Sequence, residues 1–149
     1  MTVPQTRSDA GLASALRISV SRLARRLRAE RLARGVGPEL SDTQLAALAT
    51  LERHGTMTPG GLAEHEKVQP PSMTRVIAAL EEWQLVTRAA HASDRRQVVL
   101  TVTPAGLELV TKARRRRDAW LARRLNELTP QERATLRAAA PILEKLSQS

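Results

Sequence analysis

VQPPSMTRVIAALEEWQLVTRAAHASDRRQVVLTVT, residues 68–103, is the stretch whose reading decides the fold. Its first half places Met73, Val76, Ile77 and Leu80 at the i, i+3, i+4, i+7 spacing of a helix packed against a core. Arg75 then points away from that core, with Pro71 near it and Ser72 and Thr74 on the flanks. Pro70 and Pro71 have a fixed φ and no N–H, so they belong at the very start of the helix, where the first amides lack a helical acceptor. The opening turn is expected to present short side chains, free amide donors and one Arg. The second half reads as two strands, Leu85-Val86-Thr87-Arg88 and Gln97 to Thr103, rich in β-branched residues. Ala89 to Arg96 supplies the turn between them, with Ser93 and Asp94 as its turn formers.

Short side chains around an exposed Arg suit the floor of a DNA major groove, where Arg reads guanine O6 and N7 and small residues meet thymine methyls or phosphate. Taken alone, Arg75 is equally well explained as a solvated surface residue. The hairpin that follows favours DNA, because its Asp94-Arg95-Arg96 tip makes a basic wing. Arg95 and Arg96 are candidates to enter a minor groove or lie on phosphates, with Asp94 holding one guanidinium in a bidentate pair. An isolated tip of this kind is more often a solvated turn. The conjunction of helix and wing carries the reading. The candidate DNA-contacting residues are Thr58, Gln69, Pro70, Pro71, Ser72, Thr74, Arg75, Asp94, Arg95 and Arg96.

Ala63 to Gly106, with Thr74-Arg75, Leu80-Glu81, Leu85-Val86, Asp94-Arg95-Arg96 and Thr103-Pro104-Ala105-Gly106 in order, resembles a winged helix-turn-helix regulator of the MarR family. The flanking helices fit that family's layout over nearly the whole chain. The resemblance implies a bacterial DNA-binding regulator, in many members a repressor released by small amphipathic, often phenolic, ligands held between the dimer helices and the winged domain. Two positions depart from the family pattern: Gln84 stands where a Gly usually ends the reading helix, and Lys67 stands in the turn before it. Gln84 must either adopt a left-handed conformation or end the helix differently.

Composition narrows the class further. The chain has 149 residues, enough for one domain or one domain with a dimerisation appendage. It is 42% hydrophobic, but Trp83 and Trp120 are its only aromatic residues, so the core is built of Leu, Val and Ala and favours helix-on-helix packing. Lys plus Arg number 24 against 15 Asp plus Glu, a net charge of +9 that points to a polyanionic partner. With no Cys, disulfides, thiolate metal sites and thiol redox sensing are excluded. The polar start of the chain lacks a signal-peptide core, and no run approaches a membrane span, so a cytoplasmic protein with no membrane partner is expected.

Outward from the central stretch, residues 1–8 read as a frayed tail. Asp9 is a candidate cap for a helix through Leu12, Leu16, Val20, Leu23 and Leu27 that ends before Gly35-Val36-Gly37-Pro38. That helix bears Arg17, Arg22, Arg25, Arg26, Arg28, Arg31 and Arg34, a face that is solvated or lies beside DNA or an effector. Ser41-Asp42-Thr43-Gln44 is a capping box opening a helix through Leu45, Leu48 and Leu51 that stops at Gly55. Thr58-Pro59 caps a short helix, Gly60 to Glu66, which completes a helix-turn-helix with the helix begun at Pro70. Thr58 and the Gly60 amide end suit either simple capping or phosphate contact. Thr103-Pro104 caps a long helix with Leu107, Val110, Leu121 and Leu125, broken midway by Arg114 to Arg117. Thr129-Pro130-Gln131-Glu132 is a second capping box, and Leu136, Ala139, Ala140, Leu143 and Leu146 stripe the last helix, with Pro141 as an expected kink.

Catalytic chemistry is missing from the pattern: there is no Gly-rich phosphate loop, no HExxH motif and no nucleophile elbow, so an enzyme is not expected. His54, His65 and His91 fall in separate segments without ligand spacing, and neither a metal nor a cofactor is expected; His54, His65 and Glu66 are the nearest to a zinc set. The fold expected is mostly α with a small β-hairpin wing: a winged helix-turn-helix over 38–104, an N-terminal dimerisation helix within 1–37 and C-terminal dimerisation helices over 105–149. The terminal helices hold more apolar surface than one small winged domain can bury, so a homodimer is expected. Its function is expected to be specific binding of a pseudo-palindromic double-stranded operator, with a small aromatic or anionic effector held by the Arg-rich faces around Arg17 to Arg28 and Arg114 to Arg117. The competing reading is an architectural or protein-interaction module of the same fold without effector response.

Overall fold

The computed structural model describes residues 8–32 and 39–149, with six helices and one two-stranded sheet among them. The expected tail before Ser8, the break at Gly35-Val36-Gly37-Pro38 and Arg34 lie outside the described residues, as does the side chain of Arg31. In chain order the elements are α1 (Asp9–Leu32), α2 (Asp42–His54), α3 (Pro59–Glu66), α4 (Pro70–Glu82), β1 (Val86–Ala90), β2 (Val98–Val102), α5 (Pro104–Asn126) and α6 (Pro130–Ser147). They group into two compact units, Arg31–Arg115 and Met1–Glu30 with Arg116–Ser149; α5 contributes to both.

The first of these is the winged helix-turn-helix. Its core is one apolar cluster in which Leu48, Leu51, Leu62, Met73, Ile77, Leu80, Leu100 and Val110 are fully buried. Each such side chain contributes about 1.5–3 kcal/mol through removal from water, so this cluster holds α2, α3, α4 and the hairpin together. Ser41 and Gln44 close a reciprocal capping box at the start of α2, the Ser41 hydroxyl accepting from the Gln44 amide and the Gln44 side chain from the Ser41 amide. β1 and β2 pair antiparallel with Val86 opposite Val102 and Ala90 opposite Val98, so β1 reaches two residues further toward the tip than the sequence suggests, while β2 begins one residue later, at Val98. Met57 adds a one-residue bridge to Leu100, its amide donating to the Leu100 carbonyl and its carbonyl accepting from the Leu100 amide. The link between α2 and α3 is thereby fastened to the wing.

In the second unit, Ser8 rather than Asp9 caps α1: its hydroxyl accepts from the Gly11 amide, and Asp9 is the first helical residue. Asp9 instead places negative charge in the first turn, where the helix dipole favours it. Arg114 to Arg117 do not break α5, which runs unbroken because Arg is a good helix former. On the part of α5 that belongs to the winged unit, Leu107 also departs from expectation, since it is exposed while Gly106, Val110 and Ala113 are buried. Thr129 and Glu132 make the expected capping box, and α6 continues past Pro141 to Ser147. No residue of α6 is buried within the protomer, and Leu136, Ile142, Leu143 and Leu146 are all exposed.

Candidate nucleic-acid interface

The candidate reading surface is the outer face of α4. Met73, Val76, Ile77 and Leu80 are buried, as their spacing requires, which leaves Ser72, Thr74 and Arg75 exposed on the opposite side. Gln69 is the N-cap, but its side chain caps nothing and is exposed. With Pro70 and Pro71 at the first two helical positions and the Met73 amide already bonded to the Gln69 carbonyl, only Ser72 and the N-cap Gln69 keep an amide without a helical acceptor. The expectation of several free donors is corrected: two of the four amides are absent because their residues are Pro. Thr74 donates its hydroxyl to the Pro70 carbonyl at 3.0 Å, so it offers an incoming group only acceptor lone pairs and a methyl. Thr58, one helix earlier, accepts from the Gly61 amide at 3.0 Å and is half-buried, so its hydroxyl is already committed to capping α3.

At the wing tip, Arg95 and Arg96 are exposed. Asp94 does not clamp a guanidinium, since its carboxylate accepts from the backbone amide of Arg96 at 3.0 Å, and the Gln97 amide donates to the Asp94 carbonyl. A short acidic side chain favours this turn-closing bond to an amide two residues on, which leaves the arginines free to point outward. His91 closes the other side of the tip: its Nδ1 lies 3.2 Å from the Ser93 amide and 2.9 Å from the Ser93 hydroxyl. Among the described residues, no ion pair neutralises Arg75, Arg95 or Arg96.

How α4 hands over to the wing is set by Gln84. Its φ is +58°, the left-handed alternative. The Gln84 amide donates to the Glu81 carbonyl and the Leu85 amide to the Leu80 carbonyl, each at 2.9 Å, the two bonds of a Schellman termination. Leu80 and Leu85 are both buried, so the apolar contact that accompanies this motif is present and holds a non-glycine residue in the strained position. Lys67 ends α3 in the same way, at φ +55°, with the Lys67 and Val68 amides donating to the Glu64 and Ala63 carbonyls. Both helices of the helix-turn-helix therefore end on left-handed residues that are not glycine.

Over residues 40–98 the chain matches the MarR family model. It is 51% identical over 136 residues to an HTH-type transcriptional regulator of Mycobacterium bovis, covering 91% of this chain and 92% of that one. It is 30% identical to the HTH-type transcriptional repressor MdtR of Bacillus subtilis, over 93% of this chain and 87% of that protein. A crystal structure of a transcriptional regulator from Pseudomonas aeruginosa superposes with a TM-score of 0.81 at 32% identity, covering 95% and 96% of the two chains. This chain belongs to the MarR family. It is a DNA-binding transcriptional regulator with the winged helix-turn-helix fold.

Several residues that shape this MarR winged domain escape a reading of the sequence. Arg88 on β1 pairs with Glu81 on α4 at 2.5 Å, tying the wing to the reading helix. Being exposed, the pair adds little stability and acts on the angle between the two elements. Thr103 donates its hydroxyl to the Gln84 carbonyl at 2.7 Å and accepts from the Gly106 amide, so one side chain joins the end of α4 to the start of α5. Gly106 is required there, because a Cβ would collide with the Leu85 carbonyl oxygen and lie 2.9 Å from Val102. The Thr103-Pro104-Ala105-Gly106 run is the only sequence signal of this junction.

Proposed function

We propose that this MarR-family regulator is a cytoplasmic homodimer that recognises a pseudo-palindromic double-stranded operator, represses transcription there, and is released by a small aromatic or anionic ligand. The observation that carries the reading is the exposed, unpaired Arg75 on α4, opposite a fully buried stripe, with unpaired Arg95 and Arg96 on the wing that follows. Arg75 suits direct reading of a guanine, while Ser72 and Thr74 suit thymine methyls or phosphates and Gln69 an adenine edge or a phosphate. Pro70 and Pro71 give the helix start a rigid, amide-poor contact surface. Thr58 contributes through the end of α3 it caps, and Asp94 by holding the tip that aims Arg95 and Arg96.

Repression is favoured by the similarity to MdtR, which bears the name of a transcriptional repressor. Dimerisation is favoured by the exposed leucines of α6 and of α1, where Leu12, Leu16 and Leu23 are also open. The effector surface is narrowed to arginines with aromatic or open surroundings, since Arg114 is already held by Glu52 at 2.9 Å. Arg26 and Arg124 each lie 5.7 Å from the Trp120 ring, a cation–aromatic cluster compatible with an aromatic acid. The deciding experiment is footprinting on the DNA upstream of the gene, followed by competition with random duplex. A protected inverted repeat bound about 10³-fold or more tightly than random DNA supports the reading, and equal affinity for both assigns an architectural role instead. Adding benzoate-class acids to the same complex at fixed ionic strength tests release.

A further inference from the structure

We propose that His54 and His65 form a two-imidazole site for a borderline divalent transition metal ion such as Zn²⁺ or Ni²⁺, with Glu66 as the carboxylate that orients His65. The sequence keeps these histidines apart, but the fold brings the last turn of α2, which carries His54, against the last turn of α3, which carries His65. Their ring centroids are 4.8 Å apart and the rings are inclined at 62°. A metal–nitrogen bond is about 2.0–2.1 Å and the ring centroid lies roughly 1.2 Å behind the nitrogen, so two imidazoles sharing a tetrahedral ion have centroids about 5 Å apart. The observed centroid spacing is of that size, which leaves only rotation of the imidazoles to bring one nitrogen of each onto a shared ion.

A second observation is independent of that spacing. Glu66 Oε1 lies 3.6 Å from His65 Nδ1, and the same oxygen accepts from the Thr50 hydroxyl. Thr50 is buried and the Glu66 side chain is largely so, which fixes the carboxylate in place. A metal-ligating His characteristically gives its second ring nitrogen to such a carboxylate, which selects the tautomer and leaves Nε2 as the donor lone pair. Thr50 and Glu66 are bonded, and the carboxylate stands 3.6 Å from His65 Nδ1, so a small turn of the imidazole closes that hydrogen bond and commits Nε2 as the metal donor. No three His, Cys, Asp or Glu residues gather around a common metal position among the described residues. The site therefore has two protein ligands, with water completing the coordination, and Glu66 acts on the ion only through His65.

An ion held there joins the ends of α2 and α3 and stabilises the helix-turn-helix by mass action. The test uses the untagged, chelator-treated full chain titrated with NiCl₂ or ZnCl₂ by calorimetry, with thermal unfolding alongside and Cu²⁺ electron paramagnetic resonance as a ligand count. Expected are one ion per protomer at micromolar concentration, a melting temperature raised by the metal and restored by chelator, and hyperfine structure from two imidazole nitrogens. His54→Ala and His65→Ala should each weaken binding by tenfold or more while circular dichroism stays native; Glu66→Gln should weaken it about 10–100-fold. His91→Ala, on the wing, should leave it unchanged. The proposal is overturned by any of four results: no uptake below millimolar metal, one ion per two protomers, a single coordinated nitrogen, or affinity that survives both His54→Ala and His65→Ala.

Discussion

Arg75 and Gln84 stand nine positions apart, one on a helix and one at its exit, and they illustrate what a single side chain can and cannot reveal in advance. The exposure of Arg75 follows from the four apolar residues around it, because a helix with a 3.6-residue period has no other face to give it. Arg75→Ala should therefore leave the fold intact and cost about 1–3 kcal/mol on the operator, with relaxed preference at one base pair. Binding curves on operators mutated at each position check this; unchanged affinity and preference would remove Arg75 from the reading set. The left-handed turn at Gln84 has no such signature, since nothing in its own chemistry asks for positive φ. Burial of Leu80 and Leu85 on either side decides it, and that is a tertiary fact. Relief of strain against the extra chain entropy of Gly gives Gln84→Gly a net gain of about 0.5–1 kcal/mol. Urea unfolding should show a higher midpoint at unchanged slope, and a lower midpoint would mean that the Gln84 side chain makes a contact worth more than the strain.

Among elements, those with a repeating apolar pattern or a capping signature are legible, and those made by one residue meeting another far along the chain are not. The boxes at Ser41 and Thr129, the stripe of α4 and the β-branched runs of the wing all announce themselves locally. The Met57 bridge to Leu100 has no period to reveal it, and the Glu81–Arg88 pair spans the turn between two elements whose angle the sequence does not give. Asp94 is the instructive case, because residue type suggests an Arg partner whereas local geometry hands its carboxylate to the Arg96 amide. The wing thus works as a closed turn presenting two free cations. Arg95→Ala and Arg96→Ala should weaken binding to operator and random duplex alike, each lost phosphate contact lowering the log–log salt slope by about 0.9. Asp94→Ala should also weaken binding, although it removes a negative charge near DNA, because the tip loosens. Tighter binding by Asp94→Ala would show that charge outweighs tip order.

At the scale of the whole molecule, the winged unit buries its apolar stripes and the terminal helices leave theirs open. Within one protomer no residue of α6 is fully buried, and Leu143 and Leu146 are 40% and 59% exposed. Four large apolar side chains on an 18-residue helix, with further exposed ones on α1, are a liability in water unless another surface covers them. A second copy is the natural cover, since a two-fold pair brings the same apolar patch to both sides of the seam and repeats the reading helix for an operator with two half-sites. This arrangement makes a clean test possible. Because Leu143 is exposed and lies outside the winged core, Leu143→Asp should leave that core unchanged while placing an uncompensated carboxylate in the proposed dimer seam, at a penalty of several kcal/mol per protomer. Sedimentation equilibrium should find the parent chain dimeric and the variant monomeric at the same concentration. The variant should retain weak, salt-sensitive binding to random duplex, since its wing and α4 are intact, and lose the added affinity for a two-half-site operator. A parent chain that sediments as a stable monomer would refute dimerisation through α6, and a dimeric Leu143→Asp variant would move the seam elsewhere.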